Sequence, residues 1–422
     1  MKKILVTITI LISSVFANNF EQNIVILEEL NLPKEFLNEQ SFKLKYKELS
    51  TTKKIQYYDN LIKKSSLNAK IVKEELELKN LPKVLFFLPL IESSFKNLVN
   101  KNGPSGLWQI MPLTASNLKL KRNEFVDERL DLIKSTDAAT NYLRRYYKKF
   151  GKWYLSVLAY NAGEGRIIHG VARATLDKYL DEHPTMYHDK VIKIYNLYIQ
   201  DYKKNKKGID NLYTIYKDLG LKSGHFDYLY LLKHNSKRDY LPKTSVNYIN
   251  MLVSFAILEN SDRFKNLDKK TKYDLEKVNL NKGLKLKTIA DELSMSYEEL
   301  KTINKHLLKE MVPTDKNSYN FYIPHTKVEL FNNKISNMKE LAVIENKATL
   351  EKVKNDTNNK SSFDANKNSK DLTTNKIIHK VKQGDTLEAI AKKYKVSVKK
   401  LKIDNKKSGS KLKIGENIEI IK

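Results

Sequence analysis

Apolar positions recur along most of this chain at helical spacing. Residues 18–80 are rich in Leu, Glu and Lys and hold no Gly and one Pro, Pro33, which predicts an N-terminal helical segment broken at Asn31-Leu32-Pro33. Alternating charges over Ile71–Leu78 read as a solvated helix face. Leu81–Glu92 predicts an apolar helix in which Pro89 either forces a kink or sets a new start. A loop follows at Asn100–Gly106, N-K-N-G-P-S-G, and helical spacing resumes over Leu107–Leu120. Asp127–Tyr147 and Trp153–Tyr160 predict two more helices, the second ended by the glycines of Ala162-Gly163-Glu164-Gly165. Leu176–Asp239 carries many Tyr and Lys and no motif; Tyr195, Tyr198 and Tyr202 read as packing. A last helix opens at Leu241-Pro242-Lys243 and runs to about Leu258, closing a mostly helical domain over 81–263.

The pattern then changes. Residues 273–324 predict strand, helix, helix, strand, and residues 377–422 repeat that order, so the two form an internal repeat. Between them, 339–376 is rich in Asn, Lys, Ser, Asp and Thr and reads as a flexible linker. The expected fold class is mainly α, with two small βααβ units behind a helical domain.

Composition narrows the setting. Residues 1–17 read as a cleavable signal peptide, with Lys2 and Lys3 before an apolar core and Val15-Phe16-Ala17 as the cleavage site. Export to the periplasm or cell envelope follows, with no transmembrane span in the mature chain. With no cysteine in the sequence, a lipid-modified Cys, disulfides, thiolate metal sites and Cys nucleophiles are excluded. The net charge of +28 points toward nucleic acid only weakly, because the basic residues are overwhelmingly Lys and Arg is the usual base reader. No nucleic-acid partner is expected; an anionic envelope polymer fits better. His169 and His188 lack metal-ligand spacing, so neither metal nor cofactor is expected.

Glu92 is the candidate for chemistry. On a continuous helix it would share a face with Leu85, Leu88 and Phe95, and an acid among such neighbours keeps its proton to higher pH. That is what a general acid needs; the plainer alternative is a helix-end Glu facing solvent. Ile91-Glu92-Ser93-Ser94-Phe95, Gly106-Leu107-Trp108-Gln109-Ile110-Met111-Pro112 and Ala159-Tyr160-Asn161-Ala162-Gly163-Glu164-Gly165-Arg166 together weight the first reading. In these motifs the chain resembles the goose-lysozyme-like lytic transglycosylases, of the membrane-bound murein transglycosylase D type. Leu241-Pro242-Lys243 through Tyr248 is similar to that family's fourth element. Val381-Lys382-Gln383-Gly384-Asp385-Thr386-Leu387 with Leu412-Lys413-Ile414-Gly415 resembles a LysM module. Residues 273–324 resemble a divergent LysM-like unit without the Gly-Asp-Thr turn. The chain departs from the type in having no anchoring cysteine and a longer segment between Arg166 and Leu241.

The resemblance implies a lysozyme-like helical domain that binds peptidoglycan glycan strands. It would cleave the β-1,4 bond between N-acetylmuramic acid and N-acetylglucosamine and leave a 1,6-anhydromuramoyl end. By motif position Glu92 would be catalytic, and Ser105, Gln109, Met111, Tyr160, Asn161 and Tyr248 would bind substrate. Gly384, Asp385, Thr386 and Leu387 would bind glycan in the LysM module. Ordinary glycosidases need two carboxylates, yet the motif residues near Glu92 are neutral. One acid suffices if the substrate's N-acetyl oxygen and C6 hydroxyl act as nucleophiles. Glu164 is the rival carboxylate, read either as a structural group at a helix end or as a base. Acids over Asp127–Asp137 could serve a hydrolytic muramidase of the same fold, and an inactive wall-binding scaffold is the further alternative. Trp108 and Met111 have a second reading as core packing.

Overall fold

The computed structural model describes residues 20–267, 270–280, 283–314, 319–334, 337–338, 376–394, 396, 398–405, 412 and 415–421, in two compact units, 1–348 and 349–422. The expected signal peptide and all but the last residue of the expected linker lie outside the described residues.

The larger unit begins with α1 (Phe20–Leu30), α2 (Gln40–Leu49), α3 (Thr52–Lys64) and α4 (Ser66–Leu78). These are expected as a segment leading into the domain that starts at 81, and they share its core. Leu30, Phe42, Ile62 and Val72 are fully buried in the same core as Leu88, Trp108, Leu158 and Phe255. The reason lies in α13 (Lys243–Asn260), where every residue from Leu252 to Leu258 is buried, so that stretch is covered on all sides. Helix α2 supplies part of that cover. The N-terminal helices also hold the segment that carries Glu92. Glu29 Oε2 accepts from the amide of Val84 at 3.2 Å, and Asn68 Nδ2 donates to the carbonyl of Phe95 at 2.8 Å.

Between those two anchors the apolar run is broken. A 3-10 turn, Lys83–Phe87, gives way to α5 (Leu88–Ser93), with Pro89 in its first turn. Of the two outcomes expected from proline, a new start occurs, since its missing N–H is no loss there. Helix α5 ends when Ser94 and Phe95 both turn left-handed, at φ 56°. Leu85, Leu88 and Phe95 are all fully buried, but they come from three local geometries and not from one helical face.

Helical spacing over Leu107–Leu120 also overstated the outcome. Only α6 (Pro112–Asn117) forms, because Gln109 at φ 47° turns the chain and Ser105 pairs with Ile110 as an isolated bridge. Helix α7 (Leu132–Phe150) starts later than expected, after a 3-10 turn at Glu128–Leu130, where Asp131 caps it by accepting from the amide of Lys134. Gly163 ends α8 (Trp153–Ala162) at φ 87°, whereas Gly165 lies inside the first turn of α9 (Glu164–Glu182). Helices α10 (Lys190–Asn205), α11 (Ile209–Ser223) and α12 (Tyr228–Arg238) fill the motif-free stretch. Tyr195 and Tyr202 are buried there and Tyr198 packs beside them.

Both βααβ units form. In the larger unit β1 (Leu275–Lys277) pairs antiparallel with β2 (Tyr322–Pro324) around α14 (Leu286–Glu292) and α15 (Tyr297–Ile303). The smaller unit pairs β3 (Lys376–Lys380) with β4 (Asn417–Ile421) around α16 (Leu387–Tyr394) and α17 (Val398–Asp404), with Ile378 opposite Glu419. One asparagine marks the repeat. Asn304 Nδ2 donates to the carbonyls of Leu300 and Tyr322, and its Oδ1 accepts from the Tyr322 amide at 2.8 Å. Asn405 makes the same three bonds with Leu401 and Glu419.

Candidate active site

Glu92 sits one residue before the end of α5, where the helix opens onto a cleft of about 300 Å³. Gln109, Met111, Tyr142, Tyr160 and Gly163 line it with Glu92. Tyr248, reaching over from α13, donates to Glu92 Oε1 at 2.6 Å. Burial raises the Glu92 pKa above the ordinary carboxylate range, and the Tyr248 hydrogen bond, which favours the charged form, offsets part of that rise. Burial also lifts the Tyr248 and Tyr160 hydroxyls well above the usual phenol value, and the nearby Glu92 charge adds to it. Both phenols stay protonated and can only donate to an acceptor or accept as neutral oxygens.

The loop facing Glu92 is tied down from several directions. Ser93 Oγ donates to the carbonyl of Leu107 at 2.7 Å, fastening α5 to the loop. Tyr160 donates to the carbonyl of Trp108 at 2.6 Å, fastening α8 to it. Trp108 is fully buried, with Nε1 donating to Thr136 Oγ1 at 2.9 Å, so the packing reading holds for it. Met111 is 49% exposed at the cleft, and the packing reading fails. Gly106 has φ 84°, and a Cβ there would meet the Arg129 carbonyl oxygen at 1.9 Å.

Two of the expected binding residues are placed elsewhere. Ser105 is buried, and its hydroxyl is used within the loop, donating to the Asn100 carbonyl at 2.5 Å and accepting from the Asn100 amide at 2.7 Å. It shapes the loop and does not line the cleft, because a buried hydroxyl needs an internal partner. Asn161 is exposed but outside the cleft lining, with Oδ1 accepting from Ser245 at 2.9 Å. Tyr142 was missed by sequence reasoning; it belongs to no motif, and only its place on the inner face of α7 could have pointed to it.

The rival acids are engaged. Glu164 Oε1 pairs with Lys149 and accepts from Tyr213 at 2.9 Å. Asp127 holds Arg129, Glu128 holds Lys134, Asp131 caps α7, and Asp137 pairs with Lys79. Among the described residues, Glu92 is the one carboxylate lining the cleft. No group of three His, Asp or Glu side chains among them converges as a metal site would.

A family model for the transglycosylase SLT domain matches residues 70–181, the stretch from α4 to α9 that builds this cleft. The chain carries a transglycosylase SLT domain. Tyr248 lies beyond the matched part of the SLT domain, and the fold alone brings it to Glu92. Models for the LysM domain and for the LysM-like domain of lytic transglycosylase MltD match residues 379–420 and 274–340. Over 82% of its length the chain is homologous, at 26% identity, to membrane-bound lytic murein transglycosylase D of two Escherichia coli strains. It spans 61% of the length of those relatives.

In the LysM domain the expected glycan-binding residues build a turn. Gly384 takes φ 89°, Asp385 Oδ2 accepts from the Lys382 amide at 2.8 Å and sits 2.9 Å from His379 Nε2, and Thr386 Oγ1 accepts from the Ala389 amide at 3.1 Å. Leu387 is fully buried at the start of α16, so its side chain presents no surface there. The Lys382 amide and then His379 hold the Asp385 carboxyl below the usual range.

Proposed function

We propose that this protein is a peptidoglycan lytic transglycosylase of the cell envelope, with Glu92 as its single general acid and base. The observation that carries the reading is a cleft whose one lining carboxylate among the described residues is Glu92, held protonated to higher pH by burial. Paired-carboxylate hydrolysis needs a second acid about 5–9.5 Å away. The rival acids Asp127, Glu128, Asp131 and Glu164 are committed to an arginine, to lysines or to a helix cap. The SLT and LysM matches and the murein transglycosylase relatives support the substrate class.

In this reading the strand lies across the cleft with the bond between N-acetylmuramic acid and N-acetylglucosamine at Glu92. The carboxylic acid protonates the leaving glycosidic oxygen as the C1–O bond breaks, and the N-acetyl oxygen supports the anomeric carbon. The C6 hydroxyl then forms the new bond to C1, and the carboxylate takes its proton. The product is a 1,6-anhydromuramoyl end, no water is consumed, and Glu92 returns to its starting state. Gln109, Tyr160 and Tyr248 offer neutral groups that orient the sugar without a competing charge, and Met111 offers an apolar surface. The LysM module raises the local concentration of strand.

Digestion of purified sacculi in labelled water, with mass analysis of the ends, tests this. Anhydromuramoyl ends without label are expected. Labelled reducing ends would assign the hydrolytic muramidase instead. Release no greater than that of Glu92→Gln would assign a binding scaffold.

A further inference from the structure

The LysM-like unit does more than follow the SLT domain; it grips the segment that holds the cleft loop. Val126, from that segment, is fully buried in the hydrophobic core of the LysM-like unit. Its neighbours are stitched on by backbone: the Asp127 amide donates to the His306 carbonyl at 3.0 Å, and the Leu308 amide to the Phe125 carbonyl at 2.7 Å. The buried Asp131 carboxylate accepts from the Tyr322 hydroxyl at 3.0 Å and from Asn320 Nδ2 at 3.0 Å, both on the LysM-like unit. Lys305 donates to the Asn97 carbonyl at 2.8 Å.

Two residues from Asp127, the same segment turns to the cleft. Arg129 is fully buried and paired with Asp127. Its guanidinium donates to the carbonyls of Gly103 at 2.6 Å, Ile110 at 3.0 Å and Asn100 at 3.1 Å. Those three carbonyls bracket the loop that presents Gln109 and Met111 to the cleft. A buried charge with five donors is satisfied only if the loop keeps this shape, and the loop keeps it only while Arg129 is held.

We propose that Arg129 is a positioning residue for the cleft loop, and that the LysM-like unit serves the reaction as the clamp that fixes the Arg129 segment. This rests on the transglycosylase reading for its catalytic consequence, but not for the mechanical one. Glu92 and Tyr248 are on α5 and α13, outside the clamped segment, so the clamp sets strand binding and not the proton transfer.

The test uses the full chain with the double substitution Asn320→Ala and Tyr322→Phe, which removes both donors that the LysM-like unit supplies to Asp131 and leaves the Lys134 amide in place, and separately Arg129→Lys. Hydrogen exchange of amides in 98–112 is followed together with kcat and KM on soluble glycan oligomers. Loss of two hydrogen bonds to a charged group should speed loop exchange by about tenfold or more. The KM is expected to rise by a similar factor, with the pH profile of kcat unmoved. Arg129→Lys should give the same KM-weighted defect. Unchanged loop exchange in the double variant overturns the clamp, whether or not the melting temperature falls. A fall in kcat at constant KM overturns it as well. If the wild-type chain makes no anhydro ends, the transglycosylase reading fails while the exchange measurement still decides the clamp.

Discussion

Tyr248 and Glu92, 156 residues apart in the chain, meet at 2.6 Å, with the phenol donating to the carboxyl Oε1. The bond stabilises the charged carboxylate, so it works against the burial that raises the Glu92 pKa. The tyrosine therefore tunes and aims the acid.

Tyr248→Phe should move the basic limb of the pH–rate profile to higher pH, because removing the donor raises the Glu92 pKa further. The maximal rate should fall by about tenfold, the equivalent of one hydrogen bond to a charged group. A pH–rate series on soluble glycan oligomers checks both. A basic limb that moves to lower pH would contradict the assignment.

Glu92→Gln should lower the rate by about 10²–10⁴-fold, the usual range for a general acid. The same change should raise stability at neutral pH. Folding lifts the Glu92 pKa, so between the unfolded and folded values the native state holds more protons, and wild-type stability declines as pH rises through that window. Glutamine has no charge to desolvate and still accepts from Tyr248. Thermal melts of the two proteins should coincide near pH 4 and separate, with the variant higher, by pH 7.5.

How much of this was legible in the sequence differs by residue. The three motifs located Glu92, Gln109, Met111 and Tyr160, because each sits where a helix end or turn leaves its own local signature in glycine and proline. Tyr248 followed from a fourth motif, although nothing local in α13 indicates which side chain reaches the acid. Ser105 misled because a serine beside a glycine-rich loop reads the same whether its hydroxyl faces substrate or closes the loop on Asn100. Leu387 poses a related problem, since a motif leucine reads the same in sequence whether its side chain is exposed or, as here, buried. Arg129 was invisible: its three carbonyl acceptors are far from it in sequence, and carbonyls carry no residue identity. Sharing of one core by the N-terminal helices and the SLT domain was equally hidden, being a property of α13 and its covering, not of the boundary itself.

Gly106→Ala should disable the cleft without touching a reacting group. The residue takes φ 84°, and a methyl group would be 1.9 Å from the backbone oxygen of Arg129, which cannot rotate away. Strain and overpacking together should cost about 3 kcal/mol or more. A melting temperature within a degree of wild type would contradict this account of the turn.

The repeated asparagines separate the roles of the two βααβ units. Alanine at either position removes three hydrogen bonds and leaves a strand amide and carbonyl unpaired, a loss of about 3 kcal/mol in that unit. Asn405→Ala should loosen the LysM module, which forms a compact unit of its own, and weaken sacculus pelleting while turnover of soluble oligomers is kept. Asn304 holds the strand residue Tyr322, whose hydroxyl reaches Asp131 of the SLT domain. Asn304→Ala should therefore raise KM on soluble oligomers, an effect its counterpart lacks. Equal effects of the two substitutions in both assays would mean that the units serve one purpose.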